Sequence, residues 1–159
     1  MNPGLVLYEE EFRKISGICD RLTRDASAKV VFLVDKNGQL IAASGQAQGL
    51  DTTSLASLTA GNVAAMGGLA KLIGEREFPS QFHEGERDSL HMSVVGGRVV
   101  LVVIFDARSS LGLVRLRVKK ATDELARVFD ELSRRQPAAG AQSPFAEITD
   151  DDIDNLFNA

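Results

Sequence analysis

Two tight-turn signals, each set between apolar β-branched runs, constrain the fold of this chain more than any other feature. The first is Lys36-Asn37-Gly38, flanked by KVVFLVD (residues 29–35) and QLIAAS (residues 39–44). An Asn-Gly turn between apolar runs is among the strongest short-range hairpin signals. The second is Gly96-Gly97, between Ser89–Val95, where Leu90, Met92 and Val94 alternate, and RVVLVVIF (residues 98–105). The latter is apolar throughout, which predicts a central strand buried on both faces. After Pro79 the polar stretch SQFHEGE (residues 80–86) reads as a weak edge strand. Hairpins force antiparallel neighbours, so five strands in two hairpin-connected groups predict an antiparallel sheet.

Three helical periods surround these strands. Tyr8, Phe12, Ile15, Cys19, Leu22 and Ala26 recur every three or four residues, with Glu9, Glu10 and Glu11 placed to suit the helix dipole. Asp51-Thr52-Thr53 offers N-cap candidates for a second helix, whose Leu55, Leu58, Met66, Leu69 and Ile73 are expected to face the sheet. A third period, Leu111, Val114, Val118, Ala121, Leu125, Val128 and Leu132, ends before Pro137-Ala138-Ala139-Gly140, a linker composition. The order helix, two strands, helix, three strands, helix predicts an α+β sandwich over residues 1–136. Residues 137–159 form a linker and an acidic tail with five Asp or Glu and no Lys or Arg. There Ile153, Leu156 and Phe157 share a helical face, preceded by Phe145 and Ile148. Such a short segment is marginal alone in water and suits ordering on a partner.

Composition excludes several classes of function. A net charge of −4 lacks the cationic footprint of a nucleic-acid binder. No apolar run is long enough to span a bilayer, and MNPGLVLYEEEF has no signal-peptide pattern, so a cytoplasmic protein without membrane insertion is expected. No phosphate-binding glycine loop, HExxH or Cys/His cluster is present, so neither cofactor, metal nor catalytic residue is expected. The lone Cys19 reads as a small buried residue, and His83 and His91 as ordinary sheet histidines. Arg115, Arg117, Lys119 and Lys120 form a dense basic cluster, read as a solvated helix face or as an attractor for the acidic tail.

The second helix holds the most informative pattern. Ala56, Ala60, Ala64 and Gly68 fall at every fourth place, with Gly67 alongside. Each glycine costs about 1 kcal/mol of helix propensity relative to alanine, and tiny side chains let another surface approach the backbone. The stripe therefore marks a tight core contact or a docking face. With the heavier residues assigned to the sheet, docking is the better reading.

Taken together, KVVFLVDKNGQLIAASG and DTTSLASLTAGNVAAMGGLAKLIGE, in this order of elements, resemble the Roadblock family, related to certain dynein light chains. YEEEF, FPSQFHEG, RVVLVVIFD, SLGLVRLRVKKA and SPFAEITDDDIDNLF extend the likeness to bacterial members that partner a small Ras-like GTPase of the MglA type. The resemblance implies a Roadblock-type sandwich and a homodimer with its second helices side by side. It also implies one GTPase docked across those helices in a 2:1 complex. Such members activate GTP hydrolysis in cell polarity and motility without an arginine finger of their own, and a place at a cell pole is compatible with that role. Carried over by position, the docking residues are Thr59, Ala60, Val63, Ala64, Gly67, Gly68 and Lys71, with Phe145, Ile153, Leu156 and Phe157 as a tail contact that modulates nucleotide exchange. Two other readings stand beside this one: a dimeric scaffold that leaves turnover unchanged, and a small-molecule sensor, which the lack of convergent polar groups disfavours.

Overall fold

The structure is a computed structural model that describes residues 8–140, with side chains described through Arg135. It contains α1 (Glu9–Asp25), β1 (Val30–Asp35), β2 (Leu40–Gly45), α2 (Thr52–Leu72), β3 (Ser80–His83), β4 (Ser89–Val95), β5 (Val99–Phe105) and α3 (Leu111–Gly140). The five strands form one antiparallel sheet in the order β2-β1-β5-β4-β3. This is the expected α+β architecture, with β3 at an edge and β5 in the centre.

Both turns have a local cause. Between β1 and β2, Asp35 Oδ1 accepts from the backbone N–H of Asn37 and of Gln39, both at 2.9 Å. Gly38 adopts φ +87°, which makes a three-residue loop closed by a left-handed glycine rather than a two-residue Asn-Gly turn. Gly38 also lets the loop come close to α2, since a Cβ there would stand 3.3 Å from Ser57 Cα. Between β4 and β5, Gly96 and Gly97 both have positive φ, +60° and +68°, as a type I′ turn requires.

Strand alternation gives two cores. Val31, Leu33, Leu101, Val103 and Phe105 face α1 and α3. Val30, Phe32, Val34, Val100 and Val102 face the side where Ala56 of α2 packs. Two helices thus cover one face and a single helix the other. Cys19 is fully buried in the first core, and burial pushes its thiol up to about 12, with the Asp20 charge adding to the effect.

Three expectations about the helices need revision. Glu11, read only as a dipole complement, lies on the buried stripe of α1 and pairs there with Arg135, whose guanidinium also sits 4.5 Å from the centroid of the Tyr8 ring. Phe12, expected on that stripe, is exposed. Helix α3 continues through Pro137 to Gly140, where a linker was expected to begin. Ala138 and Ala139 are strong helix formers, consistent with that continuation. The tail residues Phe145, Ile153, Leu156 and Phe157 lie outside the described residues.

Leu101 is fully buried on the central strand, in the core against α1 and α3. Leu101→Ala should lower unfolding stability by about 2–5 kcal/mol, read from the urea midpoint at unchanged slope.

Candidate functional site

Helix α2 is fixed at both ends before any side chain packs. Asp51 caps its start: Oδ1 accepts from Ser54 N at 3.1 Å and Oδ2 from the Ser54 hydroxyl at 2.6 Å. These hydrogen bonds hold the Asp51 carboxyl below its ordinary value. At the other end Gly74 takes φ +82°, Gly74 N donates to Lys71 O and Glu75 N to Ala70 O, the paired bonds of a Schellman stop.

The helix does not lie as the sequence suggested. Leu58, Leu69 and Ile73 were assigned to the sheet, yet they are exposed, Leu58 by 71% and Ile73 by 63%. Leu55 and Met66 are half-buried. The buried residues of the helix are instead Ala56, Thr59 and Ala70; Ala56 packs in the core on the sheet, with Val63 partly against it. Small residues win that place because they let the helix sit close over β1, where Phe32 already fills space.

The four-residue stripe is divided for a geometric reason. A step of four residues overshoots the ~3.6-residue turn, so the stripe advances about 40° around the helix at each step. Ala56 therefore lies against the sheet, Ala60 is half-buried, and Ala64 and Gly68 are exposed. Core packing explains the first member and not the last two.

Beside those last two lies an open groove of about 590 Å³. Six of the seven residues singled out by position line it: Ala60, Val63, Ala64, Gly67, Gly68 and Lys71. Thr59 lies beneath, 4% exposed, and lines no part of it. Lys36 from the β1–β2 loop, and Arg76 and Glu77 from the segment after α2, complete the lining. Lys36 Nζ stands 3.4 Å from Glu77 Oε1, an exposed pair that ties the loop to that segment. These three residues were missed because they come from connections that the sequence pattern does not place near α2.

The glycines of α2 answer to nothing within the described residues. A Cβ added at Gly61, Gly67 or Gly68 would meet no atom within 4 Å outside the helix's own backbone and the adjoining residues. The helix gives up propensity at three positions with no intrachain packing in return.

The matched family model, Roadblock/LC7 domain, covers residues 14–105, from within α1 to the end of β5. The chain belongs to the Roadblock/LC7 family. Among solved structures, Myxococcus xanthus MglB is 76% identical with a TM-score of 0.77, covering 80% of this chain and 96% of that one. The gliding protein MglB of Thermus thermophilus is 34% identical, TM-score 0.77, covering 82% and 99%. An MglB described as having a tetrameric arrangement is 33% identical, TM-score 0.78, covering 83% and 99%. Comparison with curated protein sequences gave no match.

Elsewhere on this Roadblock domain, no three His, Cys, Asp or Glu side chains converge as metal ligands would among the described residues. No described helix is long and apolar enough to cross a membrane. His91 is buried on β4, and its pKa is lowered by burial and by the nearby Arg115 charge. His83 lies exposed on β3 beside Gln81. Of the basic cluster, Arg115, Lys119 and Lys120 are exposed, as a solvated face would be, and Arg117 is half-buried.

If the α2 glycines serve an outside surface, filling them should help the isolated chain. Gly67→Ala and Gly68→Ala should each raise stability by about 0.4–1 kcal/mol in urea unfolding. A loss of stability from either would mean that the chain itself needs the missing Cβ.

Proposed function

We propose that this protein is a GTPase-activating regulator of a small Ras-like GTPase of the MglA type, acting in bacterial cell polarity and motility. The observation that carries the reading is the 76% identity to Myxococcus xanthus MglB across 80% of the chain. The groove on α2 supports a docking role for that helix. The groove is open, floored by Ala60, Ala64, Gly67 and Gly68, and built on a helix whose glycines meet no packing partner among the described residues.

The working unit in this reading is a homodimer. Its α2 helices lie side by side and its sheets join through edge strands, so one GTPase spans both helices in a 2:1 complex. The exposed Leu58, Leu69, Leu72 and Ile73 support the pairing, because an apolar flank of that size on one helix favours a covering surface. Ala64 and Gly68 are the points of closest approach to the GTPase, with Ala60, Val63, Gly67 and Lys71 around them.

Activation proceeds by selection of a conformation. The one carboxylate in the groove lining, Glu77, is paired with Lys36, so the dimer accelerates hydrolysis by binding the competent switch arrangement of the GTPase more tightly than the alternatives. Arg76 at the rim is the one arginine in the groove lining and makes the finger mechanism testable. An arginine finger contributes about 10³–10⁵ in turnover. Arg76→Ala should leave most of the stimulation in place, and a loss on the finger scale would replace conformational selection with direct charge stabilisation.

In a phosphate-release assay, the purified protein should raise turnover of its GTPase, and Ala64→Arg with Gly68→Arg should abolish the effect while the protein stays folded. Binding with unchanged turnover would identify a dimeric scaffold instead. Residues 137–159, with Phe145, Ile153, Leu156 and Phe157, supply a second contact that modulates nucleotide exchange. Deletion after Gly140 should leave a folded dimer with altered GTPase affinity or exchange rate, measured with a fluorescent nucleotide. Unchanged values would remove the tail from the mechanism.

A further inference from the structure

The flank of α2 that carries the exposed leucines has a mirror pattern. Leu55, Leu58, Asn62, Met66 and Leu69 follow at steps of three, four, four and three residues, so they share one stripe and read alike in both directions from Asn62. Asn62 is also the middle residue of Thr52–Leu72. It is the one polar side chain in that stripe. Its Oδ1 is buried and has no hydrogen-bond donor among the described residues, although the residue as a whole is half-exposed.

A strip that reads alike in both directions is complementary to an antiparallel copy of itself. In a two-fold interface each contact occurs twice, and only a residue on the axis meets its own copy. Centring the axis on Asn62 sets Leu58 against Met66 of the copy and Leu55 against Leu69 of the copy. Every large apolar side chain of the stripe then meets another. A centre shifted along the stripe would bring the amide against a leucine or Met66 and leave it unpaired.

We propose that Asn62 lies on the two-fold axis of an antiparallel α2 pair and that reciprocal hydrogen bonds between the two Asn62 amides fix its register. The assignment rests on the dimeric reading above and names the residue that specifies the dimer. A carboxamide carries both donor and acceptor, so two identical copies satisfy each other. The terminal amide torsion is soft, which allows Oδ1 to turn outward to its copy. Leucines alone tolerate slipped pairings, whereas a single polar residue in an apolar helix seam sets register and orientation. Register matters for the GTPase, since a slip of one turn displaces one groove against the other by about 5.4 Å.

The experiment uses the full chain with the buried Cys19 replaced by Ala and single cysteines placed by Asn62→Cys, Leu58→Cys, Met66→Cys or Leu69→Cys. Sedimentation of the reduced proteins reports the dimer, and copper-phenanthroline oxidation reports register, because disulfide formation requires Cα atoms about 4.4–6.8 Å apart. The expected result is a reduced dimer that links at position 62, with Leu58→Cys linking to Met66→Cys in a mixture about tenfold faster than to Leu69→Cys. Introducing Asn62→Leu into that mixture should keep the dimer and erase the preference. If Asn62→Cys does not fold, the Leu58 and Met66 mixture still decides. A dimer in which Leu58→Cys prefers itself or Leu69→Cys overturns the register. A preference that survives Asn62→Leu removes Asn62 as its cause. A monomer at micromolar concentration overturns the dimeric reading itself.

Discussion

The rest of the structure depends on the pairing of β1 with β5. Six residue pairs, from Val30 with Ile104 to Asp35 with Val99, join the first hairpin to the three-stranded group. Each of these strands then has a neighbour on both edges and a helix layer on at least one face, and both are apolar almost throughout. Alternate residues commit to opposite layers. The odd-numbered Val31, Leu33, Leu101 and Val103 take α1 and α3, and the even-numbered Val30, Phe32, Val34, Val100 and Val102 take the α2 side. With three helices for two faces, one face receives a single helix. That imbalance leaves α2 with one side against the sheet and the others open.

What the sequence made legible was local. Gly38 and Gly96-Gly97 announce turns through the positive φ that they adopt, and Asp51 announces a cap through its reach to Ser54. The β1–β5 pairing is not legible in this way, because its partners are some seventy residues apart in the chain and no turn chemistry links them. The facing of α2 was misread for a different reason. Hydrophobicity ranks Leu58 and Leu69 above Ala56 and Thr59 for burial, whereas a helix held close over β1 selects for small volume. Ala60, Ala64, Gly67 and Gly68 were nonetheless within reach, since close approach and small size are the same argument, whereas Val63 and Lys71 came from the family resemblance alone. Lys36, Arg76 and Glu77 were out of reach, as their place depends on where two connections cross the helix end. Glu11 was hidden in a run of three glutamates whose other members are solvated.

Helix α2 thus has three sides with three compositions. Ala56, Thr59 and Ala70 are buried, Ala60, Ala64 and Gly67 open the groove, and Leu55, Leu58 and Leu69 form an apolar flank. A helix with one buried side needs only one apolar stripe. The surplus apolar flank and the uncompensated glycines are therefore two separate departures from what a lone domain favours, and they lie on different sides of one element. Two departures on different sides are what two different contacts would leave, one with a copy and one with a partner of another kind.

The rigidity of α2 bears on how such a surface could change a reaction rate. The helix is capped by Asp51, stopped at Gly74 and seated on the sheet through Ala56. A surface that yields to its partner binds several partner conformations equally well and shifts none of them. A surface that does not yield discriminates, because the mismatch must be accommodated by the partner. Driving a two-state switch from about 1:99 to 99:1 requires roughly 5.5 kcal/mol of such discrimination. Side chains the size of alanine and glycine serve this well: they have little or no rotamer freedom with which to adapt, and they bring the partner against fixed backbone. The same smallness that costs the helix propensity is what would let it act as a template.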